Sequence, residues 1–229
     1  MITTITIDNV NCYLVNTGEG FVLIDTGYAK SRSALEEALQ KAGCQPGDLK
    51  LILITHGDFD HTGSGAYLRE KYGVKIAMHR AEAGVVEFGD MLKARKIGER
   101  WLMRVMMSVL VVFMGGGRFE RFTPDIFLED SEDLSAYGFA ARVLHIPGHS
   151  RGSIAFLTES GDLFCGDLLE NSGAEKGKPP ALNSLIDDLA VARASVEKLG
   201  ALSIQTVFPG HGDPFPMEAF LEDYRKRQS

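Results

Sequence analysis

The chain has 229 residues, with 24 Lys plus Arg against 31 Asp plus Glu and a net charge of −7. Its length allows one large domain or two small ones, and 45% apolar residues with a mean hydropathy near zero exclude a disordered or fibrous chain. The acidic balance argues against a general nucleic-acid binder, which needs net positive charge to displace counterions from phosphates. Residues 1–7 alternate Ile and Thr and lack the basic start and long apolar run of a signal peptide, so they read as an edge or first strand. Cys12, Cys44 and Cys165 are far apart, form no C-x-x-C pair and read as buried thiols in a reducing compartment, which makes the cytoplasm the expected location.

Further along, 10–16 and 21–25 are β-branched or aromatic runs separated by Thr17-Gly18-Glu19-Gly20, the pattern of two strands and a turn. Ser31 suits a helix N-cap, with Leu35, Leu39 and Ala42 at helical spacing until Gly43. The apolar run 51–54 predicts a strand buried on both faces; a helix at 66–72 and a strand at 74–78 follow. Strands are then expected at 140–146, 153–158, 162–165 and 206–208. Helices are expected at 184–200, with Leu185, Leu189, Ala192, Val196 and Leu199 on one face, and at 216–226. Such alternation without a long linker predicts one α/β domain over 1–229 with mixed sheets. Residues 89–122 interrupt it as a helical insertion. Lys93, Lys96, Arg100 and Arg104 share one helix side, and 105–114 is almost wholly apolar yet too short to cross a membrane.

The chemistry is concentrated in Thr55-His56-Gly57-Asp58-Phe59-Asp60-His61, directly after the 51–54 strand. His149, Asp167 and His211 each follow a predicted strand beside a glycine that permits a tight turn, so four of the six histidines occupy strand-end turns. In the order of these motifs, from Leu23-Ile24-Asp25-Thr26-Gly27 through His211, the chain resembles the metallo-β-lactamase superfamily. The resemblance implies an αββα sandwich with two metal ions on one edge. It assigns His56, Asp58 and His149 to a first metal and Asp60, His61 and His211 to a second. Asp167 bridges the two, while Asp25 ties the loops together without binding metal.

One position departs from the family. The common pattern is H-x-H-x-D-H, and here Asp58 stands where the second His is expected, which substitutes a hard oxygen for a borderline nitrogen and adds a charge. Zinc is the first expectation; iron or manganese stays open because of Asp58, since flavodiiron relatives carry a carboxylate there. A bound divalent metal lowers the pKa of water from 15.7 to roughly 7, giving a hydroxide nucleophile at neutral pH. With Asp60 as orienting group and proton acceptor, the expected activity is hydrolysis of a small, partly apolar ester, thioester or lactone. The alternative is an iron-dependent redox enzyme, either a di-iron oxygen reductase or a dioxygenase. The superfamily name does not imply a β-lactam substrate, because one fold hosts many reactions.

Other features bear on substrate and partners. The stretch 89–122 reads as a solvated helical cover, a lid for an apolar substrate, or an interfacial helix through 93–114 on an anionic membrane, and a homodimer contact is compatible with each. Residues 91–121 carry a local charge of +5, so the acidic balance belongs to the rest of the chain. Asn171, Lys176 and Lys178 are candidates for meeting an anionic substrate. His79 reads as a surface residue after a strand, and His145 as a packed strand-end histidine.

Overall fold

A computed structural model describes residues 1–89 and 119–227. The first sheet takes β1 (Ile2–Ile7), β2 (Val10–Asn16) and β3 (Phe21–Ile24) as an antiparallel run. It continues, after α1 (Arg32–Lys41), with β4 (Leu49–Leu53) parallel to β3. The short helix α2 (Phe59–Thr62) and α3 (Gly65–Tyr72) lead to β5 (Ile76–His79); α4 (Ala83–Phe88) follows, and β6 (Ile126–Leu128) closes the sheet in parallel. Strand order equals chain order in this sheet.

The second sheet contains β7 (Ala141–His145), β8 (Ile154–Thr158) and β9 (Asp162–Gly166). A small ribbon, β10 (Leu169–Glu170) with β11 (Ala181–Leu182), and the helix α5 (Leu189–Gly200) precede β12 (Thr206–Pro209), β13 (Phe215–Pro216) and α6 (Met217–Lys226). Its order is β13-β12-β9-β8-β7. Strand β8 is antiparallel to both β7 and β9, and β12 is parallel to β9, so β7, β9 and β12 all run the same way.

Period-two patterning explains the layers, because successive side chains of a strand point to opposite faces. In β2, Cys12 and Leu14 join the core under α1 and α3, while Tyr13 and Val15 point to the other sheet. In β4, Ile52 faces the helices, and Leu51 and Leu53 face the sheet. Strands β8 and β9 do the same on the other side: Phe156 and Phe164 enter the middle layer, whereas Leu157, Leu163 and Cys165 pack against Ala192, Val196 and Leu199 of α5 and Phe220 of α6. The result is an αββα sandwich with three apolar layers. Phe164, 1% exposed, has its ring centroid 4.9 Å from Phe208 and 5.2 Å from Tyr13. Truncating it to Ala removes the centre of the middle layer and costs about 3–5 kcal/mol.

Several boundaries depart from the sequence expectation. Helix α5 begins at Leu189, not at 184, because the Asp188 side chain accepts from Ala190 N and Val191 N and the preceding loop bonds elsewhere. The amides of Asp187 and Asp188 both donate to Gly148 O. Leu185 and Leu189 are therefore exposed rather than on the buried stripe. Ser31 precedes α1, but its Oγ donates to Asp8 Oδ2 instead of capping the helix. Strand β6 carried no periodic signal, being three residues long. Residues 90–118, where the insertion with its lid, dimer or membrane contact is expected, lie outside the described residues. Their flanks meet, with Phe119 N donating to Gly89 O and Phe122 N to Val86 O. No described helix is long and apolar enough to cross a membrane.

Candidate metal centre

Parallel strands end on the same edge of a sheet, and the candidate donors follow such ends. His56 and Asp58 come directly after β4, and Asp60 and His61 lie in α2. His149, Asp167 and His211 follow β7, β9 and β12. Backbone bonds stitch the loops across the sandwich: Ile154 N donates to Thr55 O, Gly210 N to Gly166 O, and Asn11 N to Gly210 O, all between 2.8 and 2.9 Å.

The seven residues converge in three overlapping groups. His56, Asp58 and His149 form one, His56, His61 and Asp167 a second, and Asp60, His61 and His211 a third, with donor atoms within 4.8 Å of one another in each. His149 Nε2 lies 3.2 Å and His56 Nε2 3.6 Å from Asp58 Oδ2. Asp167 sits between the groups, 3.2 Å from His61 Nε2 and from His211 Nε2 and 4.0 Å from His149 Nε2. Asp60 Oδ2 is 3.5 Å from His211 Nε2 and 3.9 Å from His61 Nε2.

These side chains fit a cation. The buried His56 Nε2 makes no hydrogen bond, and His61 Nε2 and Asp167 Oδ1 meet only as an ion pair at 3.2 Å; leaving a buried polar atom unsatisfied costs about 1–3 kcal/mol. A divalent ion placed among them satisfies all three, and mixed imidazole and carboxylate donors suit zinc, iron or manganese.

The ring orientations prepare the same nitrogens. Thr55 Oγ1 gives its proton to Asp25 Oδ2 at 2.8 Å, so it accepts the proton of His56 Nδ1 at 3.0 Å and leaves Nε2 with a lone pair toward the cluster. His61 Nδ1 donates to Asp25 Oδ2 at 2.8 Å, and His211 Nδ1 to Asn9 O at 2.7 Å. Asp25 also accepts from Thr55 N at 2.9 Å and is held at a left-handed φ of 58°, strain concentrated at the centre of the loop system. It ties the loops of β3, β4 and α2 together.

Without a cation the carboxylates hold protons on His61 and His211. Burial opposes charge on His61, but Asp167, Asp25 and Asp60 outweigh it and raise the pKa well above the usual imidazole value. Burial likewise opposes charge on His211, and Asp167 and Asp60 raise it to about 11. Asp167 is disfavoured by burial and, through His211 and His61, nonetheless held well below the usual carboxylate range. Metal binding must displace these protons.

Some supporting residues were not evident in the sequence. Glu82, 2% exposed, accepts from Gly57 N, Ser150 Oγ and Gly152 N. Its only sequence signal is a carboxylate on the same helical stripe as the buried Val85 and Val86. Asn11 Nδ2 donates to Pro209 O and Gly212 O, Tyr13 OH donates to Pro209 O, and Asn183 Nδ2 reaches Asp167 Oδ2 at 3.4 Å. The remaining residues singled out in the sequence have varied settings. Asn171 anchors the His211 loop, its Nδ2 donating to Asp213 O and its N to His211 O. Lys176 and Lys178 are exposed. The His79 side chain is only 13% exposed and stacks on His145, with centroids 4.3 Å apart.

Comparisons with known proteins agree with this geometry. Residues 5–211 match the family model described as the metallo-beta-lactamase superfamily. The acyl-coenzyme A thioesterase MBLAC2 of Bos taurus is 28% identical over 227 residues, covering 92% of this chain and 76% of that protein. The hydroxyacylglutathione hydrolase GloC of Haemophilus influenzae is 30% identical over 166 residues, covering 71% and 68%. Among solved structures, TTHA1623 in a di-iron-bound form superposes with a TM-score of 0.69 at 28% identity, covering 96% of each chain.

Proposed function

The chain belongs to the metallo-beta-lactamase superfamily and is a metal-dependent hydrolase, and from that premise we propose that it holds two divalent cations, zinc first among them, and cleaves a small, partly apolar acyl thioester. The observation that carries the reading is the meeting of seven imidazole and carboxylate side chains, with the buried His56 Nε2 among them left without a hydrogen bond. His56, Asp58 and His149 would hold one ion, Asp60, His61 and His211 the other, with Asp167 between them. When bound, the cations acidify water and polarise a carbonyl.

The chain's own groups do the rest. Asp60, whose side chain is 14% exposed, faces the open side, where it accepts the proton of the attacking water. Water adds to the carbonyl carbon, the carbon–sulfur bond breaks, and Asp60 returns its proton to the departing thiolate, giving an acid and a thiol. Asp167 offsets the cationic charge. Two features favour a thioester with an apolar acyl group. Acyl-coenzyme A and hydroxyacylglutathione, the compounds in the names of the two relatives, are both acyl thioesters. Asn183, which reaches Asp167, accepts the Leu185 amide, so the exposed Leu185 lies beside the cluster.

Metal analysis of protein made without added metal, followed by a panel of acyl thioesters, oxygen esters and lactones, tests the reading. Two equivalents of metal with thioesters cleaved fastest is the expected result. Less than half an equivalent, with no hydrolysis after zinc or manganese is restored, would sink it. A second reading, an iron-dependent redox enzyme, rests on Asp58 and on the di-iron form of TTHA1623. Near-stoichiometric iron with oxygen consumption would favour it, and colourless, zinc-loaded protein that cleaves thioesters would reject it.

A further inference from the structure

Glu82 lies outside every candidate metal-binding motif, in the short turn between β5 and α4, yet it touches the loops on both sides of one half of the site. A carboxylate is rarely buried unless its lone pairs are satisfied. Here Oε2 accepts the Gly57 amide at 2.9 Å, while Oε1 accepts the Gly152 amide at 2.7 Å and the Ser150 hydroxyl at 2.8 Å. Gly57 stands between His56 and Asp58, and Ser150 is next to His149. All three donors therefore belong to the two loops that carry His56, Asp58 and His149.

The packing around the carboxylate is as specific as its bonds. A Cβ on Gly57 would lie 2.9 Å from Glu82 Oε2 and 2.8 Å from Val85 Cβ, and one on Gly152 would lie 2.7 Å from Glu82 Cγ. Both glycines admit the carboxylate by having no side chain. Among the described residues, no Lys or Arg forms an ion pair with Glu82, and its partners are the neutral donors of the two loops. Asp25 links the two halves instead, through Thr55, which orients His56, and through His61.

We infer that Glu82 is a positioning residue for the metal held by His56, Asp58 and His149, clamping their two loops at the separation that ion needs. The inference rests on the two-metal reading above. Glu82→Gln keeps the size but turns one oxygen into an NH2 that faces a donor, so at least one loop is released. The proper measurement is a zinc titration of metal-free protein, followed by the ¹⁵N signals of the four imidazoles. In the variant, His56 and His149 should need at least about tenfold more zinc than in the wild type, whereas His61 and His211 respond as before.

Unchanged response of His56 and His149 overturns the inference, and so does an equal loss at all four rings, which marks general loosening. Ser150→Ala, which removes one of the three bonds, should weaken the same two rings by about fivefold and serves if the first variant does not fold. Wild-type protein that takes up one zinc only, at His56 and His149, refutes the two-metal reading while the comparison at those rings still decides the role of Glu82. Zinc that never reaches those rings refutes both.

Discussion

The side chains of His56, Asp58 and His149 are 1%, 8% and 0% exposed; in the other half His61 is as deeply buried, at 0%, but Asp60 and His211 are 14% and 21% exposed, although each half of the site offers two imidazoles and one carboxylate with Asp167 between them. The inner half lies between loops joined to the buried Glu82. The outer half is supported from the rim, where the β1–β2 turn offers Asn9 O to His211 and Asn11 holds the surrounding carbonyls. Equal donors in unequal settings separate two properties. Donor chemistry decides which ion is preferred, and burial decides how readily that ion, or a substrate atom, is reached. On the two-ion reading proposed above, substrate and exchange with solvent are expected at the outer half and slower loss of an ion at the inner half.

Asp167→Asn should have the largest effect, because it alters the one carboxylate common to both halves. Turnover of the best thioester should fall by more than about a hundredfold, with metal content reduced at both. Wild-type turnover with full metal would show that the halves do not share it. Chelation comes next. Protein loaded with two equivalents and exposed to a chelator should release metal in two phases at least about tenfold apart in rate, the rings of His61 and His211 responding first. A single phase would remove the distinction drawn from burial. A smaller change tests donor chemistry alone. Asp58→His makes the inner set three imidazoles, so the preference for zinc over manganese there should rise by about tenfold, read by competition between the two ions. An unchanged ratio would mean that Asp58 is not what sets metal choice.

The two halves also differ in how visible they were in the sequence. The donors stood out because His and Asp placed directly after apolar runs have few structural uses, and the parallel ends of β4, β7, β9 and β12 then bring them to one edge. The layers were readable for the same reason: period-two runs such as 10–16 name both faces of a strand. The supports were hidden. Glu82 acts through contacts with Gly57 and Gly152, which are 25 and 70 residues away in the chain, and Asn9 acts through a backbone carbonyl that any residue provides. Helix α5 was started too early because Leu185 and Leu189 fit a helical stripe, while the bonds that decide the loop, from Asp187 and Asp188 to Gly148 O, come from another part of the chain.

The smallest expected effect lies just behind the inner half, where His79 at the end of β5 stacks on His145 at the end of β7 with ring planes 8° apart, joining the two sheets. His79 Nδ1 accepts the Ala81 amide at 3.2 Å, so the neutral ring carries its proton on Nε2. Burial first, then His145 and Arg80, lower its pKa below the ordinary 6.5; Glu129 and Glu82 pull the other way without reversing the shift. An unfolded chain takes up this proton near 6.5, and the folded chain does so only at lower pH. The contribution of His79 to stability is therefore complete above that value and declines as the pH falls below it. His61 and His211, with raised pKa values, act in the opposite direction, losing their contribution as the pH rises, so the wild-type slope mixes both signs. His79→Gln isolates one of them. Comparing urea midpoints at about pH 7.5 and about pH 5.5, the variant should lose less stability on acidification than the wild type. Equal losses in both would show that the imidazole behind the inner half does not sense acid, and that its stacking on His145 is a matter of packing between the sheets.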